Sequence, residues 1–212
     1  MARDSAETLE RLYQAAIELI GEHGYSGTTV DEIVARAGVS KGTVYYHFKS
    51  KADLVSALLE DGLQRLARSF VEETKHAQEP QEALRALVHA ELAYIQHYQA
   101  FSKLVMSEMW RVDRDWQKAL RVLREQYVSV FAAVLARGVE AGAFRAGLDT
   151  QAAASTVFGM VATGALDWLV FAPERALSDV EPGLTAMVLG AVGAAQTPLL
   201  ARGAAGGAPH EI

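Results

Sequence analysis

The sequence predicts an all-α protein in two joined parts, a small N-terminal helix–turn–helix unit and a larger helical body. Apolar residues recur at three- and four-residue spacing along most of the chain, as the buried face of a helix requires. Only 5 prolines interrupt 212 residues, and no convincing strand breaks the pattern. Half of the residues are hydrophobic, so a sizeable core is available to one large domain or two small ones.

The first helix is expected over residues 5–23. Ser5 can cap it, Leu9, Leu12, Tyr13, Ala16, Ile17 and Ile20 form its stripe, and Gly24 can stop it. In the next stretch, Thr29 with Glu32 three residues on forms a capping box for a short helix carrying Ile33, Val34 and Ala37. Gly38 can take the positive φ that the helix end needs, and Val39 can return to the core. Ser40 caps a second short helix, Lys41 to Phe48. Val44 and Phe48 share its buried face, which turns Lys41, Thr43, Tyr45, Tyr46 and His47 outward. A helix–turn–helix that shows hydroxyls, aromatics and a cation is the pattern of a DNA-reading module.

Three helices in about 50 residues are marginal alone, so the front unit is expected to be fused tightly to the rest. Ser50 and Asp53 open a helix to about residue 76, with Leu54, Leu58, Leu59, Leu63, Leu66 and Phe70 on one side and no flexible linker before it. Pro80 suits the first turn of the next helix, which holds Leu84, Leu87, Val88, Leu92 and Ile95. The pattern resets near Gln99–Ser102 and a short helix continues to about Arg111. Asp113 or Asp115 then caps a long helix to about Ala141, ended by Gly142 and the loop to Gly147. The expected division is a DNA-binding domain at 1–49, a ligand-binding and dimerisation domain at 50–201, and a low-complexity tail at 202–212.

Residues 149–172 and 180–200 are rich in Ala, Gly and Val. The run 182–201 lacks charge over 20 positions, long enough to cross a membrane. Pro182 and Pro198 bracket that run, polar residues interrupt it, and Ala and Gly supply little insertion energy, so no membrane span is expected. Ser155, Gly159 and Thr163, and Ala186, Gly190 and Ala194, recur every four residues and would let helices approach closely. Two such helices from each of two chains would make a homodimer interface; the alternative is that they complete the monomer's own core.

The formal net charge of −6 runs against DNA binding, but residues 36–51 carry Arg36, Lys41, Lys49 and Lys51 without an acid. A locally basic edge on an acidic body can still dock phosphates. There is no cysteine, which excludes disulfides, thiolate metal sites and cysteine nucleophiles. The first seven residues lack the apolar core of a signal peptide, and a cytoplasmic location is expected. The 6 histidines make no i, i+3 or i, i+4 pair with one another, and no phosphate loop follows a strand. No catalytic residue, metal site or cofactor is therefore assigned.

The front of the chain resembles the TetR family of bacterial transcriptional regulators over roughly residues 5–60. The resemblance rests on Thr28-Thr29, Ile33-x-x-x-Ala37-Gly38-Val39-Ser40, Gly42-Thr43-x-Tyr45-Tyr46-His47-Phe48 and Lys49-Ser50-Lys51-x-x-Leu54. It implies a homodimer with about nine helices per chain, the first three binding DNA and the last two forming the dimer interface. It also implies that a small molecule in the C-terminal domain lowers DNA affinity. Carried onto this sequence, it implies that Lys41, Gly42, Thr43 and Tyr46 face base edges in the major groove. Thr29, Tyr45, His47 and Lys51 would contact phosphate. Lysine can donate to guanine, and the threonine methyl can meet that of thymine.

The second domain concentrates aromatics and methionines, as a small-molecule cavity or any helical core does. His89, Met106, Met109, Trp110, Tyr127, Phe131, Phe158 and Trp168 are the candidate ligand contacts. His89, Glu108 and Asp167 are titratable groups in apolar helical stretches, able to orient a polar part of a ligand. The expected function is a repressor released from a pseudo-palindromic operator by a small, largely hydrophobic effector. The alternative is a ligand-independent architectural DNA binder of the same fold.

Overall fold

The computed structural model of the chain describes residues 2–109 and 117–193. Nine helices run through the described residues: α1 (Ala2–Gly27), α2 (Val30–Ala37), α3 (Lys41–His47), α4 (Lys51–Thr74), α5 (Pro80–His97), α6 (Gln99–Met109), α7 (Gln117–Glu140), α8 (Thr150–Phe171) and α9 (Leu177–Val192). No strand occurs among them; an isolated bridge joins Phe144 to Gly193.

Capping chemistry sets most of the helix starts. The Thr29, Ser40 and Ser50 side chains accept the backbone N–H groups of Glu32, Thr43 and Asp53, and Asp149 accepts those of Gln151 and Ala152. Each such cap satisfies a donor that the first turn leaves without a partner, worth about 1 kcal/mol. Pro80 begins α5 where no N–H is needed. Gly38 closes α2 in the left-handed region at φ 64°.

Three boundaries differ from expectation. α1 begins at Ala2, ahead of Ser5, and Gly24 (φ 72°, ψ 163°) kinks it instead of ending it. The buried Thr28 hydroxyl, bonded to the carbonyls of Leu19 (3.1 Å) and Gly24 (3.0 Å), secures that bend. α9 begins at Leu177, so Pro182 lies inside it and not at its border. The proline sits in the second turn, where its missing N–H removes a single helical bond. Residues 110–116, with Trp110, Asp113 and Asp115, and residues 194–212, with Ala194, lie outside the described residues, as does the Met109 side chain.

The core runs unbroken from the front unit into the body. Leu12, Ile20, Ile33 and Val44 hold α1, α2 and α3 together, and Leu54, Leu58, Leu59, Leu63, Leu66 and Phe70 of α4 are all buried. Each such side chain contributes about 1.5–3 kcal/mol by leaving water. α4 packs on α5, α7 and α1, and α6 packs on α1 as well as α5. Thus two helices of the body, α4 and α6, touch α1 of the front unit.

α8 and α9 pack on α5 and on each other, and α8 also packs on α7. By length and composition α8 could cross a membrane, but 39% of its apolar window is buried inside the protein. Thr163 and Asp167 interrupt its outer side. That outer side includes Val170 and Phe171 of α8 and continues onto α9 as Ala186, Met187, Gly190 and Ala191, all exposed. A Cβ added at Gly159, Gly183 or Gly190 would meet no atom within 4 Å.

Candidate nucleic-acid interface and effector cavity

The helix–turn–helix presents α3 as the sequence suggests, with Val44 and Phe48 buried and Tyr45, Tyr46 and His47 outward. Tyr46 is 85% exposed, its ring edge-on to that of His47 at 5.1 Å. Gly42 is exposed on the first turn, and Thr43 lies beside it with its hydroxyl 2.7 Å from Ser40 Oγ.

The polar groups around this face are more engaged than the sequence suggests. Lys41 Nζ lies 2.8 Å from Asp31 Oδ1, a contact that raises its ammonium pKa. Arg36 reaches back to Glu18 at 3.2 Å and Glu22 at 3.5 Å on α1. The Thr29 hydroxyl donates to Glu32 Oε2 at 2.8 Å while accepting the Glu32 N–H, so the capping box occupies it. Those Thr29 hydrogen bonds hold the exposed Glu32 carboxyl below its ordinary range. Of the four cations in 36–51, Lys49 has no ion-pair partner among the described residues.

Lys51 is engaged as well. Its ammonium donates to the carbonyls of Tyr25 (2.6 Å) and Thr28 (2.5 Å) and stands 4.1 Å over the Tyr25 ring. It therefore ties the start of α4 to the α1–α2 corner. Spacing could place a lysine there but could not show that the corner's carbonyls face it.

An apolar cavity lies in the body. Leu63 and Leu66 of α4, Glu91, Tyr94 and Ile95 of α5, Phe101, Ser102, Val105 and Met106 of α6, Tyr127 of α7, and Phe158 and Ala162 of α8 line it. Its volume is about 40 Å³, room for a few waters and for no lipid chain without expansion. Tyr127 stacks on Phe158 at 4.4 Å, and Phe131 stands behind, edge-on to Phe158 at 6.1 Å and to Phe70 at 5.4 Å.

Met106, Tyr127 and Phe158 thus share one wall system, with Phe131 as backing. His89 and Trp168 lie elsewhere. His89 Nδ1 is 2.9 Å from Glu181 Oε2 of α9 on a partly exposed edge, and Trp168 Nε1 donates to the Arg175 carbonyl at 3.0 Å. Polar partners outside the cavity take both side chains. Asp167 is exposed.

The carboxylate that does face the cavity is Glu91. It is fully buried, neither oxygen has a hydrogen-bond partner, and burial pushes its pKa well above the ordinary range. The same burial raises the Tyr94 and Tyr127 hydroxyls. A sequence signal for Glu91 existed: it lies four residues after Leu87 and three after Val88, on the buried stripe of α5. His89, one residue past Val88, is turned about 100° away from that stripe.

Besides Leu63 and Leu66, which line the cavity from α4 itself, a close contact couples its α5 and α6 walls to that helix. The Phe101 ring covers Gly62 so tightly that a Cβ there would lie 2.2 Å from it, and Tyr94 Oη donates to the Gly62 carbonyl at 2.5 Å. Three residues further along α4, Arg65 bonds Glu10 of α1 at 2.7 Å and Asp61 at 2.8 Å.

Comparison with known proteins accounts for both parts. A family profile described as bacterial regulatory proteins, tetR family, matches residues 12–58, and one described as tetracyclin repressor-like, C-terminal domain, matches residues 77–168. The HTH-type transcriptional repressor KstR2 of Mycolicibacterium smegmatis is 30% identical over 69% of this chain and 72% of its own length. The fatty acid metabolism regulator protein of Bacillus subtilis is 22% identical over 76% of this chain and 82% of its own. Among solved structures, FadR from Bacillus subtilis in complex with stearoyl-CoA shares the fold with a TM-score of 0.77 at 20% identity, covering 86% of this chain and 98% of that one. KstR2 of Mycobacterium tuberculosis aligns with a TM-score of 0.69 at 26% identity, over 87% and 94% of the two chains.

Proposed function

The chain belongs to the TetR family of bacterial regulatory proteins, and from that premise we propose a repressor that a small, largely hydrophobic effector releases from a pseudo-palindromic operator. The observation that carries this is the Phe101–Gly62–Tyr94 contact. Phe101 and Tyr94 are walls of the apolar cavity, and Gly62 belongs to the helix that begins at the DNA-binding unit. A ligand too large for about 40 Å³ must push these walls apart. Because Gly62 leaves no slack against the Phe101 ring, α4 moves with it. Its first residue, Lys51, carries the motion to the carbonyls of Tyr25 and Thr28.

Two copies of the chain would join through α8 and α9, whose outer faces expose Phe171, Met187 and the open glycines. That pairing sets the distance between the two α3 helices and hence the half-site spacing. Within each copy Lys41, Gly42, Thr43 and Tyr46 read bases, while Thr29, Tyr45 and His47 meet phosphate. Lys51 supports this surface from behind. The relatives named for fatty acid metabolism and for ketosteroids make an acyl or steroid skeleton the natural effector, acting on cytoplasmic DNA.

The experiment is selection of bound fragments from random duplex DNA, followed by titration of the complex with acyl and steroid ligands. Recovery of an inverted repeat and its release by an apolar ligand fits the proposal. Tight binding that no such ligand changes would instead favour the architectural reading.

A further inference from the structure

We infer that Glu91 is the polar anchor of the effector cavity and that it takes a neutral hydroxyl or carbonyl group of a lipid, in preference to a carboxylate or an ammonium. The inference rests on the cavity being the effector site and assigns the chemistry of the group that enters it.

Glu91 lies among Leu66, Tyr94, Phe101, Tyr127 and Phe158, and both of its oxygens are without partners. Buried polar groups are almost always paired, so an orphaned carboxyl aimed into a cavity is matched by a polar ligand atom. Tyr94 does not serve: its hydroxyl donates to the Gly62 carbonyl and makes no bond with either Glu91 oxygen. No cation is paired with Glu91, and an apolar wall cannot hold a lone carboxylate, so the group is kept protonated.

A protonated carboxyl has one donor and acceptor capacity beside it. A ligand carbonyl takes the donated proton; a ligand hydroxyl can take it and also donate back. Neither brings a charge into the cavity. A ligand carboxylate would place a second acid against the first, with no cation to share between them. An ammonium would have to ionise Glu91 and lose its own hydration inside an aromatic box, a desolvation that a single buried ion pair barely offsets.

The test uses the full-length chain and three ten-carbon probes, 1-decanol, decanoate and decylammonium, titrated calorimetrically at neutral pH. 1-Decanol should bind at least tenfold more tightly than either ion. Glu91→Leu should weaken decanol about tenfold, the loss expected of one buried hydrogen bond, and Glu91→Gln should stay within about threefold of the natural chain because the amide replaces both functions. Tighter binding of decanoate or decylammonium, no binding of any probe, or indifference of decanol to Glu91→Leu would overturn the assignment. Operator release is read separately. Glu91-dependent decanol binding that leaves DNA affinity unchanged would defeat the effector reading and leave the anchor standing. Release by a tighter-binding ion would do the reverse.

Discussion

Lys41 Nζ lies 2.8 Å from Asp31 Oδ1, so the α3 cation proposed to read bases is held by an acid on α2. Both side chains are exposed, so the pair is weak and can be exchanged for a nucleic-acid partner. Asp31→Asn frees Lys41 and removes one negative charge beside the DNA surface. Affinity for operator and for random duplex should rise severalfold at low salt, and the gain should shrink as salt rises. Fluorescence anisotropy at two salt concentrations reads this; weaker binding by the variant would contradict it.

Lys51 separates two roles by two different readouts. A lysine that grips phosphate, when removed, lowers the salt slope by about one and leaves folding alone. A lysine that binds the Tyr25 and Thr28 carbonyls supports the domain. Lys51→Met should therefore lower stability by about 2 kcal/mol in urea unfolding, because it removes two charge-assisted hydrogen bonds and the cation over the Tyr25 ring. The salt slope of DNA binding should stay as it was.

Glu91 makes stability depend on pH with a definite sign. Its pKa is raised in the folded chain, so the native state holds a proton that the unfolded chain gives up above about pH 4.3. The native state then binds more protons than the unfolded state, and stability falls as pH rises from that value. Glu91→Gln lacks this dependence. Its advantage over the natural chain should be absent near pH 4 and grow by about 1.4 kcal/mol per pH unit above the ordinary carboxylate value, until native Glu91 itself ionises. Paired urea titrations from about pH 4 to 8 measure the gap; a constant gap would show that Glu91 titrates as a solvated carboxyl, and a shrinking one that it is paired.

The outer face of α9 supplies an independent test of assembly. Gly190 has no atom within 4 Å of where a Cβ would lie, so Gly190→Glu should leave the monomer fold intact. If α8 and α9 form the dimer, the variant sediments as a monomer and binds a full operator at least tenfold more weakly, since the two half-sites are no longer linked. An unchanged dimer would move the interface elsewhere.

Local chemistry explains what was readable beforehand. Thr29, Ser40, Ser50 and Pro80 each start a helix through interactions spanning at most three residues, and Gly38 ends one the same way. The outward face of α3 follows from Val44 and Phe48 alone. Long-range partners were not readable. Arg36 meets Glu18, Lys51 meets Tyr25, and His89 meets Glu181, separations that no periodicity encodes. The cavity was legible only as a class of residue. Its aromatic walls resemble any helical core, and its informative member, Glu91, is marked in sequence only by its place on the buried stripe of α5.

Filling the cavity is expected to move α4 through Phe101 and Gly62. The chain has 0 cysteines, so Ala35→Cys on the exposed side of α2 gives one spin-label site per protomer. The label-to-label distance in the dimer should shift by several ångströms when 1-decanol is added, and Phe101→Ala should abolish the shift while the chain still folds. An unchanged distance in the natural chain, with operator DNA nevertheless released, would contradict the account.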